Sequence, residues 1–228
     1  MPGEAAAVSQ GELNLDAPDR IRELVDAGAA PAAIVEGLAD PAFDQSWQTR
    51  QQAVASVTGE VAAFSGDELP AVAAQRQGYA VSVQGNLLAS EQVVVDSLQA
   101  FEGRREAGGG LAQALVDGLV AGSHAGGDRR CGDQTALFAQ VVVAAKGDTA
   151  AIPSTVLTVV VQQGDDNNPV DLLASALADG RRGLIDVDPP SGRGGRYVQL
   201  GALVVGVALA GVALVTLRRG MGSVRARR

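Results

Sequence analysis

The segment from Arg50 to Asn86 commits the chain to a β-sheet made of small residues. Arg50-Gln51-Gln52 leads into an alternating run, Ala53 to Val57, which turns on Thr58-Gly59 and climbs again through Val61-Ala62-Ala63-Phe64. Two strand-like runs joined by a short turn containing Gly read as a β-hairpin. After a polar loop, Tyr79-Ala80-Val81-Ser82-Val83 forms a third run, expected in the same sheet and stopping at Gln84-Gly85-Asn86. A Gly there lets backbone or ligand come close, so any chemistry is expected near the ends of these strands.

Composition narrows the class. The 228 residues suffice for one domain with a sizeable core plus appendages. Aromatic residues make up only 3%, so the core must be built from Ala, Val and Leu. The formal charge of −8 is uneven: residues before Tyr197 hold 13 bases against 26 acids, a balance of −13, and the last 32 residues hold 5 Arg and no acid. An acidic body argues against nucleic acid as a partner, because phosphate contacts need clustered Lys and Arg. One Cys (Cys131) excludes an internal disulfide, and one His (His124) argues against a His-based metal site. No pattern points to a cofactor. His124 reads either as a general base or as a residue of the loop between Gly122 and Gly126, and no motif places a Ser or Cys nucleophile beside it.

Periodicity gives the rest of the layout. Ala5 to Val8 could end a strand. Asp16 reads as the N-cap of a helix with Ile21, Leu24 and Val25 on one face, and Pro31 starts a second helix burying Ile34, Val35 and Leu38. Ser90 caps a helix carrying Val94, Leu98 and Phe101, and another carries Leu111, Leu115, Leu119 and Val120. Apolar runs at Thr135–Ala145 and Val156–Gln162 read as strands, and Pro169 begins a helix with Val170, Leu173 and Leu177. Helix pairs alternating with strand pairs indicate α/β layers with antiparallel hairpins.

From Arg181 to Arg196 the composition shifts to Gly, Pro, Ser and Arg, as in a linker. It feeds Tyr197–Leu217, 21 residues whose only polar side chains besides Tyr197 are Gln199 and Thr216. That length spans a bilayer core as a transmembrane helix, and the Arg cluster after it suits a basic flank. The flanking Arg residues favour a cytoplasmic tail and an external domain. Ala202, Gly206 and Ala210 make a small-xxx-small face that could pack in a homodimer.

Two constellations could carry chemistry. Asn86, beside Gly85 at a strand end, could donate to a developing oxyanion, or it could cap the turn before the Ser90 helix. In Gly126-Gly127-Asp128-Arg129-Arg130, two Arg residues beside an Asp could fix a carboxylate or phosphate, or form an ion pair that pins the loop. Asn86, Asp128 and Arg129 are the candidate site residues. No P-loop, paired-His motif or Gly-x-Ser-x-Gly elbow is present.

Arg50-Gln51, the hairpin ending Val61-Ala62-Ala63-Phe64-Ser65-Gly66, the run from Tyr79 to Leu88 with Gln84-Gly85-Asn86, and Gly126-Gly127-Asp128-Arg129-Arg130 occur in that order. Together they resemble the Ntn-hydrolase-like family catalogued as domain of unknown function 1028 (DUF1028), over residues 5–178. The resemblance implies a four-layer αββα sandwich and, by ancestry, amide-bond hydrolysis by an N-terminal Thr, Ser or Cys whose own α-amine is the base. A cell-wall role has been suggested for the family. In this chain Val8-Ser9-Gln10 and Asn14 match positions that follow the family's first strands, and Met1-Pro2 offers no hydroxyl or thiol. The expectation is therefore a sandwich incomplete at its N-terminus and inactive as written. Either a nucleophile strand lies upstream, or the chain is a non-catalytic binding domain on the cell envelope. The tail is either a permanent anchor or, given Gly194-Gly195 before the span, a cleaved sorting signal. The expected divisions are the domain at 5–178, a linker at 179–196, the span at 197–217 and a basic tail at 218–228.

Overall fold

The structure is a computed structural model that describes residues 3–149 and 152–186, together with the two-residue strand Ala208–Leu209. It is a mixed α/β fold. Strand β1 (Ala5–Gly11) leads to helices α1 (Ala17–Asp26) and α2 (Pro31–Leu38), then to the hairpin of β2 (Arg50–Ser56) and β3 (Val61–Ser65). Strands β4 (Ala74–Gly78) and β5 (Val81–Gly85) precede the helical pair α3 (Gln92–Glu106) and α4 (Leu111–His124). The chain continues through β6 (Phe138–Val143), β7 (Thr155–Val160), α5 (Pro169–Ala178) and β8 (Gly183–Asp186).

Three sheets result. The first has the order β1-β2-β3, with Ala53 opposite both Val8 and Ala63 in an antiparallel register. Strand alternation then sorts its side chains. Val54 joins Ala5, Ile21, Ile34, Val35 and Leu38 in the core under α1 and α2, while Gln51, Ala53 and Ala55 take the opposite face. The expected hairpin is present, with Ser56 N donating to Glu60 O across its turn.

The third run does not join that sheet. β5 pairs antiparallel with β4, which lies in the stretch read as a polar loop. β4 is Ala-Gln-Arg-Gln-Gly with exposed Arg76 and Gln77, so an edge strand's polarity hid it from a hydrophobic pattern. This second sheet presents its Val81 and Val83 to Val93, Val94 and Phe101 of α3. The same core takes in Ala139 and Val141 of β6, Leu157 and Val159 of β7, Leu115 of α4 and Leu173 of α5.

The third sheet has the order β6-β7-β8, and β8 runs parallel to β7. β8 lies inside the stretch read as linker. Its single turn of pattern is too short to register as a strand, and Leu184 is exposed. Among the described residues no helix is long and apolar enough to cross a membrane. The span expected at 197–217 lies outside the described residues, except for Ala208–Leu209, which pair as a short strand with Val81 and Ser82.

At the start of β2, the Arg50 Nε donates to Asp44 Oδ2 at 2.8 Å, and Arg50 Nη2 to Asp44 Oδ1 at 3.2 Å. Asn14 Nδ2 donates to the same carboxylate at 2.7 Å and Ser46 N at 3.0 Å. These bonds, led by that from Arg50, hold the Asp44 carboxyl below the usual carboxylate range against the opposing effect of burial. The cluster ties the segment before α1 and the segment after α2 to the mouth of the first sheet.

Candidate functional site

The candidate residues fall into two neighbouring polar clusters. The first is a clamp after α4. Gly127 has φ +50, and a Cβ there would run into the Thr135 carbonyl, so the turn requires Gly. The turn sets residues 127–129 antiparallel to residues 87–89: Ala89 N donates to Gly127 O at 2.9 Å, and Arg129 N to Leu87 O at 3.0 Å. The Asn86 and Asp128 segments are thus joined through their backbones.

Asp128, 1% exposed, is already engaged. Its Oδ1 accepts from Arg130 N and Arg130 Nε, both at 2.9 Å, and its Oδ2 accepts from Arg130 Nη2. Its own N–H donates to Thr135 O at 2.8 Å. The bond to Asp128 raises the Arg130 pKa further above its ordinary value. The pair is therefore made with Arg130; Arg129 is exposed and contributes its backbone. Behind it, Asn168 Nδ2 donates to Ser123 Oγ at 2.9 Å and to Thr135 Oγ1 at 3.0 Å, and the two hydroxyls bond to each other. Asn168 Oδ1 also accepts from Val170 N at 2.8 Å, which caps α5. This network holds Thr135 at φ +58, an unfavourable conformation for a β-branched residue. Burial pushes the Cys131 thiol up, away from the reactive thiolate.

The second cluster is built from side-chain amides where the first sheet meets the second. Gln51, fully buried, is its hub. The two N–H groups of its Nε2 are shared among Ser65 Oγ at 2.9 Å, Ala74 O at 3.1 Å and Gly85 O at 3.2 Å, and its Oε1 accepts from Gln10 Nε2 at 2.6 Å. Ser65 Oγ passes a hydrogen bond to Gln75 Oε1 at 2.8 Å. Four strands beside β2 are thus pinned to one side chain. Asn86 sits at the mouth of this cluster, half-buried, with Nδ2 3.5 Å from Gln51 Oε1. A contact that long is weak, so Asn86 keeps donor capacity. A Cβ at Gly85 would lie 2.6 Å from Leu88 Cδ2, so the Leu88 side chain would have to shift to admit one.

Asn86 therefore belongs with Gln51 and not with the Asp128 carboxylate. Gln10, Gln51 and Gln75 carry this cluster and were not among the sequence candidates. Gln10 and Gln51 stand at the ends of apolar strand runs, which was the available signal, whereas Gln75 lies in the stretch read as a polar loop. His124 lies at the end of α4, its Nε2 3.2 Å from Asp171 Oδ1, with both side chains exposed. Among the described residues, no hydrogen bond joins a hydroxyl or thiol to a His or Lys side chain. No group of three or more His, Cys, Asp or Glu residues among them could hold a metal ion.

With this geometry in place, the comparisons define the class. The fold is similar to the crystal structure of protein SPO2555 from Silicibacter pomeroyi, whose description carries the family model DUF1028. The TM-score is 0.60 at 20% identity, covering 78% of this chain and 72% of that chain. A family model, described as a family of unknown function (DUF1028), matches residues 2–174. The chain belongs to the DUF1028 family. No curated protein matches it.

Proposed function

We propose that the domain recognises amides, binding a carbonyl at Asn86 at the mouth of β5. The observation that carries this reading is the half-buried Asn86 Nδ2, oriented beside the Gln51 hub and only weakly engaged by it. An amide donor fixed in a partly desolvated mouth is suited to a neutral carbonyl acceptor. We read the layers as an Ntn-hydrolase-like αββα sandwich serving as a binding domain. Recognition is favoured over catalysis because Ser65, the hydroxyl nearest the cluster, is bound to both Gln51 and Gln75 and has no base beside it.

Amide hydrolysis is the second reading. Its support is that the same Nδ2 would suit an oxyanion if a nucleophile were brought to it. We further propose display at the cell envelope, with the apolar segment 197–217 as a single membrane anchor and the domain outside, an arrangement in which Ala208 and Leu209 leave their pairing with β5. Protease accessibility of the domain on intact cells tests that arrangement; a domain fully protected until lysis would overturn it.

The binding reading is tested by titrating the protein with N-acetylalaninamide and following side-chain amide signals by NMR. The Asn86 resonance is expected to shift, and Asn86→Ala to weaken binding about tenfold, as for the loss of one well-placed hydrogen bond. Equal binding by Asn86→Ala would refute it. Release of ammonia from the same probe would move the assignment to hydrolysis.

A further inference from the structure

The clamp leaves one charged side chain unused. From Arg20 to Arg130 every other Arg is taken. Arg20, Arg22, Arg50, Arg76, Arg104 and Arg130 each pair with an acid, and Arg105 Nη1 donates to Gly109 O at 2.6 Å. Among the described residues, the exposed Arg129 guanidinium has neither a hydrogen bond nor an ion pair, although acids outnumber bases in this part of the chain. An exposed Arg can simply be solvated, so its position decides whether it does more.

That position is tied to Asn86. Arg129 N donates to Leu87 O at 3.0 Å, and the neighbouring Leu88 and Asp128 form an antiparallel bridge. Leu87 is thus opposite Arg129, where Cα atoms lie about 5 Å apart. One step of about 3.8 Å along the chain leads from Leu87 to Asn86. The two side chains therefore spring from Cα atoms within about 9 Å of each other, on segments bonded together. Leu87 itself is held at φ +56, a conformation that persists in a residue other than Gly only where the surroundings fix it. The acid nearest in the chain, Asp128, is buried and neutralised by Arg130, so it does not oppose an anion at Arg129.

We propose that Arg129 binds the carboxylate of the ligand whose amide carbonyl is held at Asn86, which makes the ligand an N-acyl amino acid with a free α-carboxylate. The proposal rests on the reading of Asn86 as an amide-recognising residue and specifies the ligand's other end. Asn86 offers a neutral donor to a neutral carbonyl, and Arg129 offers a cation to an anion. The planar guanidinium presents two parallel N–H groups that match the two oxygens of one carboxylate. In an N-acyl amino acid only the amide nitrogen and one tetrahedral carbon separate the acyl carbonyl from the carboxylate. Such a molecule is short enough to bridge two side chains anchored on adjoining segments.

The test titrates the full chain at pH 7 with N-acetylalanine and N-acetylalaninamide, which differ only in the terminal group. N-acetylalanine is ionised there and is expected to bind about fivefold more tightly, the upper end of what an exposed ion pair contributes. Arg129→Gln is expected to bring the ratio of the two affinities to about one. Arg105→Gln, which removes the same charge elsewhere on the surface, should keep the preference. Asn86→Ala should weaken both probes. Equal affinity for the two probes in the unmodified chain, a preference that survives Arg129→Gln, or one that Arg105→Gln also removes would overturn the proposal. So would N-acetylalanine binding that is indifferent to Asn86→Ala. If N-acetylalaninamide still binds in an Asn86-dependent way, only the carboxylate proposal falls; if neither probe binds, the underlying reading falls with it.

Discussion

The clamp around Asp128 and the seam around Gln84 are adjacent, both polar and both buried, yet they are opposites in how their hydrogen bonds are used. In the clamp, the Asp128 carboxylate, the Asn168 amide and the hydroxyls of Ser123 and Thr135 all have partners from their own chain. In the seam, Gln51 is engaged while Gln84 and Ser82 are not. A satisfied network makes its parts rigid and can hold a strained residue such as Thr135 in place. An unsatisfied one lowers stability and leaves capacity for a ligand. The residue types alone gave Asn86, Asp128 and Arg129 as candidates without ranking them. The pattern of partners favours β5.

The contrast can be broken by substitution. The largest loss is expected for Asp44→Ala, which leaves the buried Arg50 guanidinium with only the more distant Glu12 carboxylate, 3.8 Å from Arg50 Nη1. Both side chains are under a tenth exposed, and breaking such a pair costs roughly 3–5 kcal/mol in urea denaturation. Its pH dependence has a definite sign. Because the folded-state pKa of Asp44 is lowered, its stabilisation is fully present above the unfolded carboxylate value of about 3.9 and is lost as pH falls through the lower folded value. Asp44→Asn should flatten the stability profile below about pH 4. An unchanged acid limb would exclude Asp44 from that role.

Asp128→Ala comes next, at about 2–3 kcal/mol, because Arg130 N loses its acceptor while the exposed Arg130 side chain can turn to water. Binding of N-acetylalaninamide should persist in the folded fraction. Loss of binding without loss of stability would return Asp128 to the functional site. Gln51→Leu is expected to cost about 2 kcal/mol, since the carbonyls of Ala74 and Gly85 lose a donor inside the seam. It should also weaken amide binding by releasing Asn86. A neutral effect on both would mean that Gln51 does not organise the mouth.

Much of the layout was legible because the elements carry strong local patterns. Pro31 and Pro169 mark helix starts, the Ile21-Leu24-Val25 face marks α1, and the run before Lys146 contains β6. What was missed is what local pattern cannot hold. β4 is polar because it lies at an edge, and β8 is four residues paired in parallel with a distant strand. The separation of β5 from the first hairpin is a matter of long-range pairing, which hydrophobic alternation does not specify. In the candidate site, Asn86 was singled out by its place beside Gly85, but its partner Gln51 lies 35 residues away and looked like one of several strand-end polar residues. Asp128 was read with Arg129 and Arg130 together, as a ligand site or as an ion pair pinning the loop, and adjacency alone did not say which Arg makes the pair. The tight turn at Asp128 swings Arg130 back onto the carboxylate, a two-residue loop closure with no counterpart in composition.

The most direct test of the central claim is the stability of Gln84→Met, read as the midpoint of urea denaturation with no ligand present. If the seam is left unsatisfied for a ligand, replacing both unpartnered amide atoms with an apolar side chain of similar volume should stabilise the free protein by about 1 kcal/mol. A loss of stability of similar size would show that Gln84 is bound within the folded chain after all. β5 would then be a structural strand like its neighbours.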